Sequence, residues 1–511
     1  MATKHKRKRN SISRLCFVGL AILFQVAWLI VLVMELNAYS TWINLFTTVL
    51  SVIVVLRLSG KHTSTAMKMP WIMLILALPV MGLSLFLLFD IAGDPGRAGE
   101  RIRRIREKLK KNLPQNPDTM KRLEQRGPAD ANQFRYLSVH ENWPVYENTA
   151  AKYFGDGAET LEAMKADLEK AEKFIFMEYF IVADNSAFQE IREILVRKAN
   201  QGVEVRLMYD DIGSVGYVNM KFARSLCEDG ICCRVFNPAI PFLNMFLNHR
   251  DHRKTTVIDG KVGYTGGYNL SDEYFCRAKP YGEWKDTGLR LEGEAVRSLT
   301  ASFLELWGVT TKCEEDGEAY LSVEYKVDAP GFIQPYNDNP LSEERTAENV
   351  YLNLISQAEK TLYFTTPYLI ITDELSRALR LAAKRGVDVR IITPGIPDKK
   401  VVFAITRSYY AGLARQGVRI YEYTPGFCHA KQCLCDGRIA SIGSSNLDYR
   451  SLYHHFENDV LLCGCDAIDD MAKDFETLFA QCTEVTEKYS TGRGAMLRIG
   501  QCILRLFAPL V

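Results

Sequence analysis

The chain lacks most of what would mark a metal enzyme, a disulfide scaffold or a polyanion binder. Its thirteen cysteines include no pair three residues apart and its eight histidines no pair four apart, so zinc-type ligand spacing is absent. The cysteines form no framework spacing either. Cys232, Cys233, Cys433 and Cys435 fall on predicted strands, where reduced thiols pack as small apolar residues. Net charge is nearly missing, with 63 Lys and Arg against 61 Asp and Glu, or +2. That near-neutrality hides an asymmetry: residues 1–111 hold 17 Lys/Arg and 5 Asp/Glu, which leaves −10 for the remainder. An acidic remainder offers no basic track for a nucleic acid, whose binding depends on neutralising phosphates. The basic end is also the apolar end, which points to anionic lipid headgroups.

What the chain does have is one uncommon pattern, twice. His252, Lys254 and Asp259 are followed by Gly266, Gly267 and Asn269; His429, Lys431 and Asp436 are followed by Gly443, Ser444 and Asn446. Both read H-x-K-x4-D-x6-G-[GS]-x-N without a spacing error. On an extended segment, side chains two apart share a face, so each histidine stands beside its lysine. An imidazole and an ammonium on one face suit attack on phosphorus, where a nitrogen attacks and the cation holds phosphate oxygens. The glycine-containing tail predicts a tight turn whose backbone approaches a phosphate, with the asparagine amide donating to it. His5, His62, His140, His454 and His455 match no such tail and read as surface or packing residues; His249, three residues before His252, is a weaker candidate for lining the site.

The doubling extends beyond the motifs. Ala171-Glu172-Lys173 and Ala358-Glu359-Lys360 each precede an apolar run, and Gly202-Val203 and Gly386-Val387 each open a strand after a helical stretch. Strands alternating with helices predict an α/β fold of two duplicated halves, each a mixed, mostly parallel sheet flanked by helices. The expected organisation is an N-terminal membrane region at 1–92, a basic linker at 93–130, half 1 at 131–312, a connection at 313–340 and half 2 at 341–511. Residues 15–36 are apolar over a length that crosses hydrocarbon, 42–56 are shorter, and 69–89 are interrupted by Pro79 and Gly82. Cation clusters before the first run, after the second and after the third predict two spans, a non-crossing third segment and catalytic halves on the cytoplasmic side. The run 101–111 is expected to meet anionic headgroups, and 496–511 to be an interfacial or packing segment.

The paired motifs resemble the phospholipase D superfamily, and their surroundings resemble its bacterial cardiolipin synthase family. The likeness is carried by 248–254, by 264–269, by Trp284, Asp286 and Thr287, by Asn446, Asp448, Arg450 and Ser451, and by Phe456, Glu457 and Asn458; Glu178, Tyr179 and the run Thr366 to Tyr368 also fit. Lys285 stands where that family usually has arginine. The resemblance implies phosphatidyl transfer between two phosphatidylglycerol molecules, giving cardiolipin and glycerol, at a multi-pass bacterial cell membrane and with oligomerisation open. Phospholipase D-type hydrolysis, or transfer to another alcohol, is the alternative. The motif chemistry places His252 and His429 on one phosphate, with Lys254, Lys431, Asn269 and Asn446 on its non-bridging oxygens and neither cofactor nor metal required. By resemblance His252 attacks and His429 is acid and base, while Asp259 and Asp436 brace the motif strands. Asp286 and Glu457, 34 and 28 residues beyond the histidines of their own halves, are the candidates for orienting the rings.

Overall fold

The computed structural model describes residues 16–28, 30–31, 34, 41–61, 64–92, 95–239, 248–315, 317–491 and the single positions 500, 505 and 508. Two sheets carry the catalytic part. The first runs Thr149–Phe154, Gly288–Gly293, Val262–Gly266, Lys254–Ile258, Phe174–Tyr179, Glu204–Asp210, Cys232–Phe236 in spatial order. The second runs Phe332–Asp338, His455–Cys463, Ile439–Gly443, Gln432–Cys435, Thr361–Thr365, Asp388–Pro394, Arg419–Tyr423, Cys482–Glu484. The repeat predicted from sequence is therefore a repeat of sheet order.

The expectation of mostly parallel sheets is corrected. Only the three strands separated by helices in each half run parallel. Each motif strand and the strand after it form a hairpin, and the remaining neighbours on that side are antiparallel as well. The reversal comes from the motif aspartate and its glycine. Asp259 and Gly260 have φ of 54° and 66°, Asp436 and Gly437 51° and 62°. Lys261 N–H donates to Ile258 O at 3.0 Å and Arg438 N–H to Cys435 O at 3.0 Å. Positive φ at both central positions is the two-residue turn that matches strand twist, and Asp-Gly suits it.

The strand Phe332–Asp338 lies in the stretch expected to connect the halves and pairs along its length with His455–Cys463. The basic stretch 101–111 is a helix, Pro95–Lys110, whose Ile102, Ile105 and Leu109 are buried. Its Arg106 enters the interior, with Nε 2.7 Å from Glu305 Oε2, while Arg104 and Lys108 reach Glu314. These side chains bind the catalytic body.

Among the described residues no helix is long and apolar enough to cross a membrane. The first apolar run lies partly outside those residues. The second lies in the helix Thr41–Gly60, and the third is broken at Leu78 into Thr65–Ala77 and Pro79–Ala92. Trp71 and Phe86 meet edge-on at 5.6 Å between these two pieces, so the third run folds back on itself. Phe17, Leu20, Phe24, Trp42, Phe46 and Ile53 all point outward. The stretch 496–511 lies almost wholly outside the described residues; Arg505 covers the Tyr409 ring at 4.2 Å.

Candidate active site

The two halves exchange short strands, and the exchange builds the site. Arg250–Asp251 runs parallel to the start of His455–Cys463, and Gly426–Cys428 runs parallel to Glu283–Lys285. Immediately afterwards His252 N–H donates to Phe456 O at 3.0 Å and His429 N–H to Lys285 O at 2.7 Å. Each motif histidine is thus pinned to the residue that precedes a carboxylate of the opposite half. His252 Nδ1 lies 2.9 Å from Glu457 Oε2, and His429 Nδ1 lies 2.8 Å from Asp286 Oδ2. Sequence spacing had suggested the carboxylate of the same half; the true partners are crossed. With Nδ1–H held by a carboxylate, Nε2 keeps its lone pair.

Burial dominates the electrostatics. It pushes His252 and His429 down to about 4, aided by Lys254 and Lys431 and opposed by Glu457 and Asp286. It pushes Lys254 to about 7 and Lys431 to about 8, against the pull of the two carboxylates. The same burial acts to raise Glu457 and Asp286, but their histidines overcome it and hold both below the ordinary range. The resting site therefore holds two neutral imidazoles beside two ionised carboxylates. Glu457 also accepts from the Ser444 and Ser451 hydroxyls.

The remaining expected residues divide. Asn269 and Asn446 line the cavity with both histidines. Asn269 Oδ1 accepts from Ile181 N–H at 3.0 Å, whereas Asn446 Oδ1 is buried with no hydrogen-bond partner among the described residues. Lys254 and Lys431 donate to the backbone carbonyls of His252 and His429, and Lys431 Nζ lies 2.9 Å from His429 Nε2. Asp259 and Asp436 point away from the cavity. Asp259 accepts from the N–H groups of Glu172, Lys173 and Phe174 at 2.8, 2.7 and 2.8 Å; Asp436 accepts from Glu359, Lys360 and Thr361 at 2.9, 2.7 and 2.8 Å. The motif tail also acts differently from expectation. Gly267 N–H donates to Thr287 O and Ser444 N–H to Asn458 O, so neither faces a phosphate. The tail instead makes room for a carboxylate: a Cβ on Gly267 would sit 2.1 Å from Asp286 Oδ1.

Sequence reasoning missed His455. It is buried on the cavity wall, its Nδ1 lies 3.5 Å from Glu457 Oε1, and its ring centroid is 5.0 Å from that of His252. His249 and His454 are half-buried with their ring centroids 5.9 Å apart, His140 is exposed, and His5 and His62 lie outside the described residues. An aromatic wall was missed as well: Tyr274, Trp284 and Phe427 stand 5.2, 5.5 and 5.8 Å from the His429 ring. Phe427 and Trp284 precede His429 and Asp286 by two, the strand period that signals a shared face. The cavity measures about 1230 Å³. Ligand atoms of His252, His455 and Glu457 lie within 4.8 Å of one another.

Residues 164–307 and 351–479 match the family described as cardiolipin synthase, PLD-like domain. The chain belongs to that family. Cardiolipin synthase of Halalkalibacterium halodurans is 32% identical over 493 residues, 93% of this chain and 94% of its own. Cardiolipin synthase of Geobacillus kaustophilus is 33% identical over 510 residues, 95% and 99% of the two chains. A Streptococcus mutans protein of undefined role is 40% identical over 459 residues, 89% and 99%. Phosphatidylserine synthase of Haemophilus influenzae shares the fold, with a TM-score of 0.54 at 16% identity over 74% of this chain and 98% of its own.

Proposed function

We propose that the protein is a cardiolipin synthase that moves a phosphatidyl group from one phosphatidylglycerol to another, releasing glycerol. The observation that carries this reading is the crossed pair of carboxylate-held histidines lining a single cavity. His252 Nε2 attacks phosphorus, the bond to the glycerol oxygen breaks, and His429 protonates that oxygen. The phosphatidyl group is then held on His252 through a P–N bond. A glycerol hydroxyl of the second lipid gives its proton to His429, its oxygen attacks phosphorus, and the P–N bond breaks. The substrate anion favours the protonated form of His429, which burial otherwise holds neutral. Lys254, Lys431, Asn269 and Asn446 stabilise the charge on the non-bridging oxygens. The assignment of His252 as nucleophile follows the family resemblance.

The same reading places the protein at the bacterial cell membrane with its catalytic halves toward the cytoplasmic leaflet. The outward apolar side chains of the N-terminal helices and the basic balance of residues 1–111 support it. Purified protein with phosphatidylglycerol alone should yield cardiolipin and glycerol in equal amounts by mass spectrometry, and added glycerol should drive the reaction back. Phosphatidic acid as the main product would sink the transferase reading in favour of hydrolysis.

A further inference from the structure

The duplication lets the two sides of the cavity be compared position by position. Three places flank each motif histidine: two residues before it, two before the carboxylate that holds it, and five beyond the motif asparagine in the half supplying that carboxylate. For His429 these are Phe427, Trp284 and Tyr274; for His252 they are Arg250, His455 and Ser451. The exchanged strands match them in the same way, since Phe427 pairs with Trp284 and Arg250 pairs with His455.

Three aromatic side chains on one side thus answer three polar ones on the other. Trp284 meets Tyr274 at 4.8 Å and Phe427 at 5.0 Å between ring centroids, so the rings form one continuous wall against His429. All three line the cavity. The polar set is turned to carboxylates. Ser451 donates to Glu457, His455 Nδ1 lies 3.5 Å from Glu457 Oε1, and Arg250 Nε lies 2.9 Å from Asp210 Oδ2. Phe180, edge-on at 5.0 Å, is the single apolar ring against His252 among the described residues.

In the transfer reading both alcohols meet the enzyme at His429, where the departing glycerol oxygen takes up its proton and the incoming hydroxyl gives one up. The carbons of either alcohol then lie against the three rings. Ring faces pack against C–H groups. A water poised to attack needs about two to four polar partners, which ring faces do not supply. We infer that Tyr274, Trp284 and Phe427 form the alcohol subsite and set the choice of acceptor, admitting a polyol and keeping water from the phosphatidyl-enzyme. The inference rests on the transfer reading and on His429 as its acid and base.

The full chain is assayed in phosphatidylglycerol vesicles, and phosphatidic acid and cardiolipin are quantified by mass spectrometry. Their ratio reads how one intermediate divides between water and alcohol, so a loss of overall activity cancels. In Trp284→Ala the ratio of phosphatidic acid to cardiolipin should rise about tenfold, the scale on which one apolar contact discriminates between substrates. Trp284→Phe should restore most of it. Phe427→Leu, which keeps the bulk and loses the ring, should show a smaller rise and carries the test if the alanine variant does not fold. His455→Ala, on the polar side, should slow both products and leave their ratio. A ratio that stays constant in the folded wall variants, or rises as much in His455→Ala, overturns the subsite. Wild-type protein making mainly phosphatidic acid would instead refute the transfer reading itself.

Discussion

At the residue scale the site is a study in forced neutrality. Glu457 supplies the charge that keeps Nδ1 of His252 protonated, so Glu457→Gln should leave the ring in place but allow the wrong tautomer. The expected loss in kcat is about 10²–10⁴-fold, by analogy with other oriented imidazoles. Histidine NMR titration would check the cause: His252, at about 4 in the wild type, should move lower without its counter-charge. The lysines make the opposite limb. Lys254 at about 7 and Lys431 at about 8 lose their charge far below ordinary lysines, so KM should rise as pH passes from 7 to 9. A KM that stays flat through that window would contradict the burial argument. The histidines and lysines were legible in the sequence because a spaced tail accompanied each. His455 was not, since its role arises from a strand exchange that puts it beside His252.

At the element scale the hairpins and the basic helix carry the lessons. Three N–H groups converge on Asp259 and three on Asp436, holding the turn of each motif hairpin to the start of the neighbouring strand. Asp436→Asn should lower stability by about 1–3 kcal/mol in urea titration while activity per folded molecule stays comparable. The parallel–antiparallel mixture was hidden because apolar strands read alike in either direction, and the Asp-Gly turn lay inside a motif scanned for chemistry. The basic run 101–111 looked uniform in composition, yet Arg106 meets Glu305 inside the body and Arg103 pairs with Glu107 in solvent. Arg106→Ala should cost about 3–5 kcal/mol by leaving Glu305 buried without that partner, against about 0.5 kcal/mol or less for Arg103→Ala. Equal effects in a denaturation series would remove Arg106 from the interior network.

At the scale of the whole molecule, function depends on the two halves completing each other. His252→Ala and His429→Ala should each abolish turnover, and the double variant should be no worse than either. Duplication was plain in the sequence, and crossing was not: spacing within a half gives no information about which carboxylate an exchanged strand will deliver. Acid sensitivity is another global property. His249, His252, His429, His454 and His455 are all held well below their ordinary value by burial. The unfolded chain takes up these protons first, so stability should fall as pH drops from about 6.5 toward 4. Urea midpoints at pH 7 and pH 5 would show it. The most direct test of the account is to quench the enzyme in denaturant at alkaline pH, where a P–N bond to histidine survives, during turnover on phosphatidylglycerol carrying labelled phosphorus, then map the label by peptide mass spectrometry at that pH. The account predicts a phosphatidyl group on the peptide containing His252, discharged by added glycerol or fresh phosphatidylglycerol and absent from His252→Ala. Label passing into cardiolipin with no covalent intermediate on either motif histidine would contradict it.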